Sequence, residues 1–235
     1  MKDKKENADI TVENNTDVEN AKEEAAEINV VKELVGFVLY VAFLILMVWL
    51  IITFVGQRTV VDGESMENTL KDGDSLWVSK ISYRIHKPER FDIVVFPVYD
   101  SDYYKADNYD DDEAYEEDED DEYDDYDEDD DYEYFIKRII GLPGETVRID
   151  YDGVIYINGV ALEEKYGKEV IEPDKIGRAD TDITLGENEY FVMGDNRNNS
   201  EDSRFYVVGN LKRDRLMGKA VFRLWPLSKF GSLKK

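Results

Sequence analysis

Four segments of this chain hold residues whose types and spacing could do chemistry. They are Asp62-Gly63-Glu64-Ser65-Met66-Glu67-Asn68-Thr69-Leu70, the stretch from Gly73-Asp74 to Lys80, the stretch from Phe135 to Glu145 around Lys137-Arg138, and Gly194-Asp195-Asn196-Arg197 running on to Ser200, Asp202, Ser203 and Arg204. Taken singly, each has an ordinary structural explanation: Gly-x-Ser as a turn, Lys-Arg as a solvated strand edge, Asp-Asn-Arg as a loop. What the chain lacks narrows the chemistry. It has no cysteine, which removes thiol catalysis, cysteine zinc sites and disulfides, and His86 is its one histidine, which leaves no histidine metal cluster. A serine nucleophile here needs some other base. A lysine amine serves once it is neutral, which requires its pKa to fall from about 10.4 toward about 7–8. A shift of about three units corresponds to about 4 kcal/mol against the ammonium form, which removal from water can supply. Lys137 lies between Phe135-Ile136 and Ile139-Ile140, so a side chain turned inward from that segment would be dry. Lys71, Lys80 and Lys87 are nearer Ser65 in sequence but stand among polar residues.

The elements that would position these groups read as short strands. Residues 75–79 partly alternate, 92–96 form a buried-strand run, and 135–140 precede the turn Gly141-Leu142-Pro143-Gly144. Residues 147–149 and 154–157 flank Asp152-Gly153, a hairpin signal, and Asn158-Gly159 closes the second of them. Residues 190–193 and 220–225 complete the set. No long amphipathic period follows residue 58, so the pattern predicts a mainly β, all-strand region over 58–235.

Ahead of it runs Leu34 to Gln57 without a charge, bounded by Glu33 and Arg58. As a helix it would be about 36 Å long, against a hydrocarbon core of about 30 Å. It is apolar all round, which suits a core helix poorly. It is also about twice as long as the apolar region of a cleaved signal peptide and lacks the basic lead and small-x-small site of one. Residues 34–57 are thus expected to be a retained membrane anchor, behind a polar, acidic tail at 1–33. Lys22 and Lys32 before the run balance Arg58 and Lys71 after it, so charge does not set its orientation.

The chain has 235 residues, with 55 acidic against 29 basic, a formal net charge of −26. Residues 100–134 alone hold 22 acidic residues and one lysine, 21 of that excess, and the remaining 200 carry about −5. The charge is therefore local, and no basic stripe exists to meet phosphates, which excludes a nucleic-acid binder. The tract is low complexity in Asp, Glu and Tyr, and self-repulsion at this density predicts a solvated loop projecting away from the base. It lacks the glycine and ligand spacing of an EF-hand, which leaves only loose cation association. No cofactor or metal is expected.

In this order, and downstream of one anchor, the four segments resemble the bacterial type I signal peptidases over about residues 34–227, the acidic tract excepted. Ser65-Met66 with Thr69-Leu70 match the family's serine box, and Gly73-Asp74 with Lys80 match the next. Ile136-Lys137-Arg138-Ile139-Ile140-Gly141-Leu142-Pro143-Gly144 matches the lysine box nearly residue for residue, and Gly194-Asp195-Asn196-Arg197 with Ser200, Asp202, Ser203 and Arg204 matches the last. The resemblance implies an antiparallel-sheet catalytic domain behind one transmembrane helix. It implies Ser65 as nucleophile, Lys137 as general base, an acyl-enzyme, and Ser200 as the hydroxyl that positions the lysine amine. Asp202, Arg197 and Arg204 are expected as an ion-pair network beneath the site, with Arg138 and Asp195 as another pair. Met66 is expected on the substrate side, near an apolar rim that meets lipid. Where some members place an oxyanion-hole hydroxyl two residues before the serine, this chain has Gly63, so the Ser65 N–H or water must serve. Where most have proline three residues after it, this chain has Asn68, which implies a looser turn. Histidine takes the place of Lys137 in the endoplasmic-reticulum relatives, and His86 is not at that position.

The implied substrates are signal peptides of exported preproteins with small residues at the first and third positions before the cut. The implied partners are the lipid bilayer and, as a candidate, the secretion translocon. The implied setting is the cell membrane, N-terminus cytoplasmic and catalytic domain outside. Other readings are a self-cleaving regulator like the SOS-type repressors, which carry a DNA-binding segment in place of a membrane span, and a processing peptidase with few substrates. A non-catalytic anchored scaffold, whose acidic tract binds cations or basic partners, is the alternative from another class; it would need neither Ser65 nor Lys137.

Overall fold

A computed structural model describes residues 32–107 and 131–233. The polar tail expected at 1–33, apart from Lys32 and Glu33, which already belong to the apolar helix, and most of the acidic tract fall outside the described residues. The chain divides into two units, Met1–Thr53 and Phe54–Lys235.

The apolar run forms helix α1, Lys32–Val55, 24 residues long and unburied along its most apolar window. Leu34, Phe37, Leu39, Phe43, Ile45 and Trp49 all stand exposed. A helix apolar on every side that packs against no core needs an apolar surrounding, and its length fits a membrane span. The helix stops two residues inside the expected anchor, because Gly56 and Gln57 already belong to the first strand.

The second unit holds two antiparallel sheets. The larger contains β1 (Gly56–Val60), β2 (Ser75–Ser79), β3 (Ile93–Tyr99), β4 (Tyr132–Gly141), β9 (Glu189–Met193), β10 (Leu211–Lys212), β11 (Gly218–Trp225) and β12 (Gly231–Ser232). Its order is β1-β2-β11-β3-β4-β9-β10, with β12 on β11. The smaller contains β5 (Thr146–Ile149), β6 (Ile155–Ile157), β7 (Val160–Ala161) and β8 (Ile183–Thr184), ordered β7-β6-β5-β8. Every strand anticipated from the sequence is present. Asn158 and Gly159 have φ of 51° and 76° and join β6 to β7; a two-residue hairpin turn with both φ positive matches the strand twist, and Asn-Gly tolerates it best.

Two short helices, α2 (Ser82–Ile85) and α3 (Asp100–Asp107), interrupt the all-strand expectation. The second corrects the reading of the acidic tract, whose two ends are built into the fold. Asp102 is buried, accepts the Tyr99 N–H at 3.0 Å and pairs with Arg215 at 2.6 Å. At the other end Tyr132, Glu133 and Tyr134 pair with Tyr99, Val98 and Pro97 as the start of β4. Charge is tolerated at Asp102 because a guanidinium meets it directly.

The core comes in three clusters. Ile140, Val147, Ile149, Ile155, Leu185 and Phe191 close the smaller sheet; Val94, Phe96, Val98, Ile139, Tyr190 and Val192 fill one side of the larger; Val61, Met66, Leu70, Leu76, Val78 and Ile136 fill another. β4 contributes to all three, and for that reason a lysine in its middle is held dry.

Candidate active site

Ser65 and Lys137, 72 residues apart, are joined by a hydrogen bond of 2.9 Å between Lys137 Nζ and Ser65 Oγ. Ser65 lies in the turn between β1 and β2, and Lys137 in the middle of β4, where its neighbour on β3 is Val94. Lys137 is 4 % exposed. Burial pulls its pKa from 10.5 down to about 8, against the opposing charges of Asp202 and Glu201 and with help from Arg204. The Phe135 ring lies 4.7 Å from Nζ. Both residues open into a cleft of about 990 Å³ lined also by Val61, Gly63, Val95, Ile136, Ser200 and Phe205. An amine near neutrality that touches a hydroxyl can take its proton, which turns the oxygen into a nucleophile.

The serine loop is held from several sides. Asn196 N–H donates to Ser65 O at 3.0 Å, and Asn196 Nδ2 donates to Glu64 O at 3.1 Å. Leu70 N–H closes the turn on Met66 O, Asn68 Nδ2 reaches Tyr166 O at 3.2 Å, and Lys168 pairs with Glu67 at 2.7 Å. Asn68 has φ of 98°, which proline cannot adopt because its ring fixes φ near about −65°. Asn68 therefore stands in a backbone conformation closed to proline. Gly63 offers no side-chain donor, and its N–H is committed to Asp72 Oδ1 at 3.0 Å. The Ser65 N–H donates to no group among the described residues.

The expected supporting groups are partly regrouped. Arg138 clamps Asp195 through Nε at 2.8 Å and Nη2 at 2.7 Å, both buried, and also donates to Thr69 Oγ1 and Phe91 O. Arg204 clamps Asp202 in the same two-pronged way at 2.8 Å each, and Asp202 accepts the Gly194 N–H at 3.0 Å. Burial works to raise the pKa of Asp202, but the Arg204 guanidinium and the hydrogen bonds outweigh it and hold the carboxyl below its usual range. Arg197 differs from expectation. Its ionic partner is Glu164 at 2.6 Å, and it meets the network through main chain, donating to Gly194 O at 2.9 Å and lending its own carbonyl to Arg204 at 2.6 Å. Ser200 lines the cleft, but its hydroxyl donates to Glu201 O at 3.5 Å, and no bond joins it to Lys137.

Met66 is the clearest correction. It is 0 % exposed and packs with Leu70, Leu76 and Val78, away from the cleft wall. The chain turns at Met66, whose carbonyl accepts the Thr69 and Leu70 N–H groups, and the turn sends its side chain into the core. The apolar rim lies elsewhere, at Val60, which is exposed and lines the cleft. His86 ends α2 and is exposed.

Two residues of the last segment act where their type gives little warning. Asn196 fixes the Ser65 carbonyl, as above. A Cβ on Gly194 would collide with Ser200 Oγ and Ser65 O, so this glycine is the bare floor on which the two loops meet.

A serine hydroxyl bonded to a buried amine thus sits in an antiparallel unit that follows an apolar helix long enough to cross a membrane. The chain belongs to the signal peptidases of the peptidase S26 family, whose model matches residues 34–225. It is 38 % identical over 181 residues to a probable signal peptidase I-2 of Synechocystis, covering 77 % of this chain and 68 % of that one. It is also 38 % identical over 185 residues to the signal peptidase I of Leptolyngbya laminosa, covering 77 % and 74 %, and 33 % identical over 186 residues to that of Bacillus caldolyticus, covering 75 % and 84 %.

Proposed function

We propose that this peptidase cleaves signal peptides from exported preproteins with Ser65 as nucleophile and Lys137 as its base. The observation that carries the reading is the 2.9 Å approach of Lys137 Nζ to Ser65 Oγ by an amine that is 4 % exposed. Lys137, as the free amine, takes the Ser65 proton while Oγ bonds to the scissile carbonyl carbon. The carbonyl electrons move to the oxygen, which the Ser65 N–H receives. As the tetrahedral intermediate collapses, the C–N bond breaks and the Lys137 ammonium returns its proton to the departing amine, which leaves an ester on Ser65. A water that gives its proton to Lys137 then attacks the ester, and the same sequence in reverse frees the signal peptide and restores the hydroxyl.

Asp202 and Arg204 form the neutral floor beneath the amine, and Arg138 with Asp195 fixes the turn after Ser65 through Thr69. Ser200 is proposed to orient the amine once substrate fills the cleft. Residues 34–57 are proposed as the anchor, with the N-terminus cytoplasmic and residues 58–235 outside, where the bilayer and the secretion translocon are its neighbours. Tethering to the membrane that also holds the substrate raises the effective concentration of each for the other.

The test is cleavage of a preprotein by the purified full chain in detergent. Ser65→Ala and Lys137→Ala should each abolish it, and full activity in Lys137→Ala would refute the Ser-Lys assignment.

A further inference from the structure

We infer that Glu201 is a specificity-determining residue that favours substrates with a basic side chain near the scissile bond, outside the two positions before the cut that take small residues, an inference that rests on the peptidase reading of the cleft. Glu201 follows Ser200 in the cleft wall and is exposed. One of its carboxylate oxygens accepts a hydrogen bond from the Tyr103 hydroxyl at 3.3 Å. Among the described residues no cation pairs with it. A phenol orients a carboxylate without bringing a positive charge to it.

Glu201 lines the same cleft as Ser65 and Lys137, and its charge opposes the loss of a proton from Lys137. Its surroundings do not cancel it. Asp62, Glu64 and Glu133 line the same cleft, and Lys175 is the cation that faces them once Lys137 is neutral. A lysine or arginine of the substrate meets attraction there, and an aspartate or glutamate meets repulsion.

Tyr103 is the positioning residue. It stands on α3, which Asp102 ties down through Arg215 and the Tyr99 N–H. The aim of Glu201 therefore depends on an element outside its own loop, at the start of the acidic segment.

The test uses the full chain in uncharged detergent and a peptide series with alanine kept at the first and third positions before the cut, identical except for lysine, glutamine or glutamate at each of the other positions flanking the cut. The readout is the ratio of kcat/KM values within each variant, in which the ionisation of Lys137 cancels. The wild type should prefer lysine to glutamate by about threefold to tenfold at one position or more, as expected for exposed charge pairs, and added salt should shrink the ratio. Glu201→Gln should bring the ratio close to one, Glu201→Lys should invert it, and Tyr103→Phe should reduce it through KM with kcat retained. A wild type that cleaves the three peptides equally overturns the inference, as does a preference that survives Glu201→Gln. A wild type that cleaves none of them, the glutamine peptide included, overturns the peptidase reading itself and this inference with it.

Discussion

Lys137 and Arg138 are consecutive in β4 yet serve opposite faces of the sheet: Lys137 Nζ meets Ser65 Oγ at 2.9 Å, and Arg138 holds Asp195 at 2.8 and 2.7 Å. Alternation along a strand makes this division unavoidable. One face receives a lysine whose burial lowers its pKa; the other receives an arginine paired with a buried carboxylate. Two adjacent cations thus acquire opposite electrostatic fates from the pleat alone.

The Arg138–Asp195 pair should be costly to break. Asp195→Ala leaves a buried guanidinium without its partner, and such half-broken pairs lose about 3–5 kcal/mol. Urea unfolding should show a lowered midpoint, with activity lost in parallel because Thr69 loses its anchor. An unchanged midpoint would show that the pair contributes nothing to the fold.

Gly194→Ala should separate activity from stability. The added methyl would press on Ser200 Oγ and Ser65 O, and misplacing a reacting group by about 1 Å costs on the order of a hundredfold in rate. Loss of kcat/KM on that scale, with a cooperative thermal transition retained, is the expected outcome. Wild-type kinetics would show that the two loops have room to part.

Asn68→Pro should weaken the protein although proline is the usual residue of the family there. The observed φ of 98° excludes it, while glycine takes that conformation freely. Thermal melting should place Asn68→Gly at or above the wild type and Asn68→Pro well below; the reverse order would contradict the turn described.

Burial of Lys137 should also mark stability. Its folded pKa, about 8, lies below its unfolded value of 10.5, so between those values the unfolded chain binds more protons. Stability attributable to this group is therefore full above about pH 10.5 and lost as pH falls through about 8. Lys137→Met should be more stable than the wild type at neutral pH and should flatten the slope over that window. An equal slope in both proteins would show that the amine is solvated.

The candidate site was legible to different depths, for identifiable reasons. Lys137 could be picked out because Phe135, Ile136, Ile139 and Ile140 surround it in sequence, and local apolar flanks survive into the fold as burial. Met66 could not be placed, because adjacency to Ser65 says nothing about which way a side chain turns from an irregular loop. Asn196 and Gly194 act on the main chain of a distant segment, a role that depends on which loops meet and leaves no mark on residue type. The acidic tract was read as uniform because composition hides single contacts, whereas Asp102 is ordered by Arg215, 113 residues away. The strands were plain where alternation or hairpin signals were strong, and the two-residue strands β7, β8, β10 and β12 were too short to carry a pattern.

The central claim is that one buried amine gives up its proton near neutral pH. Nuclear magnetic resonance of the full chain with labelled lysine side chains, titrated beside a Lys137→Arg variant that removes one resonance, measures this directly. The missing resonance should titrate near pH 8 in the wild type, well below the other lysines. A midpoint at 10.5, the ordinary value of a lysine, would contradict the account.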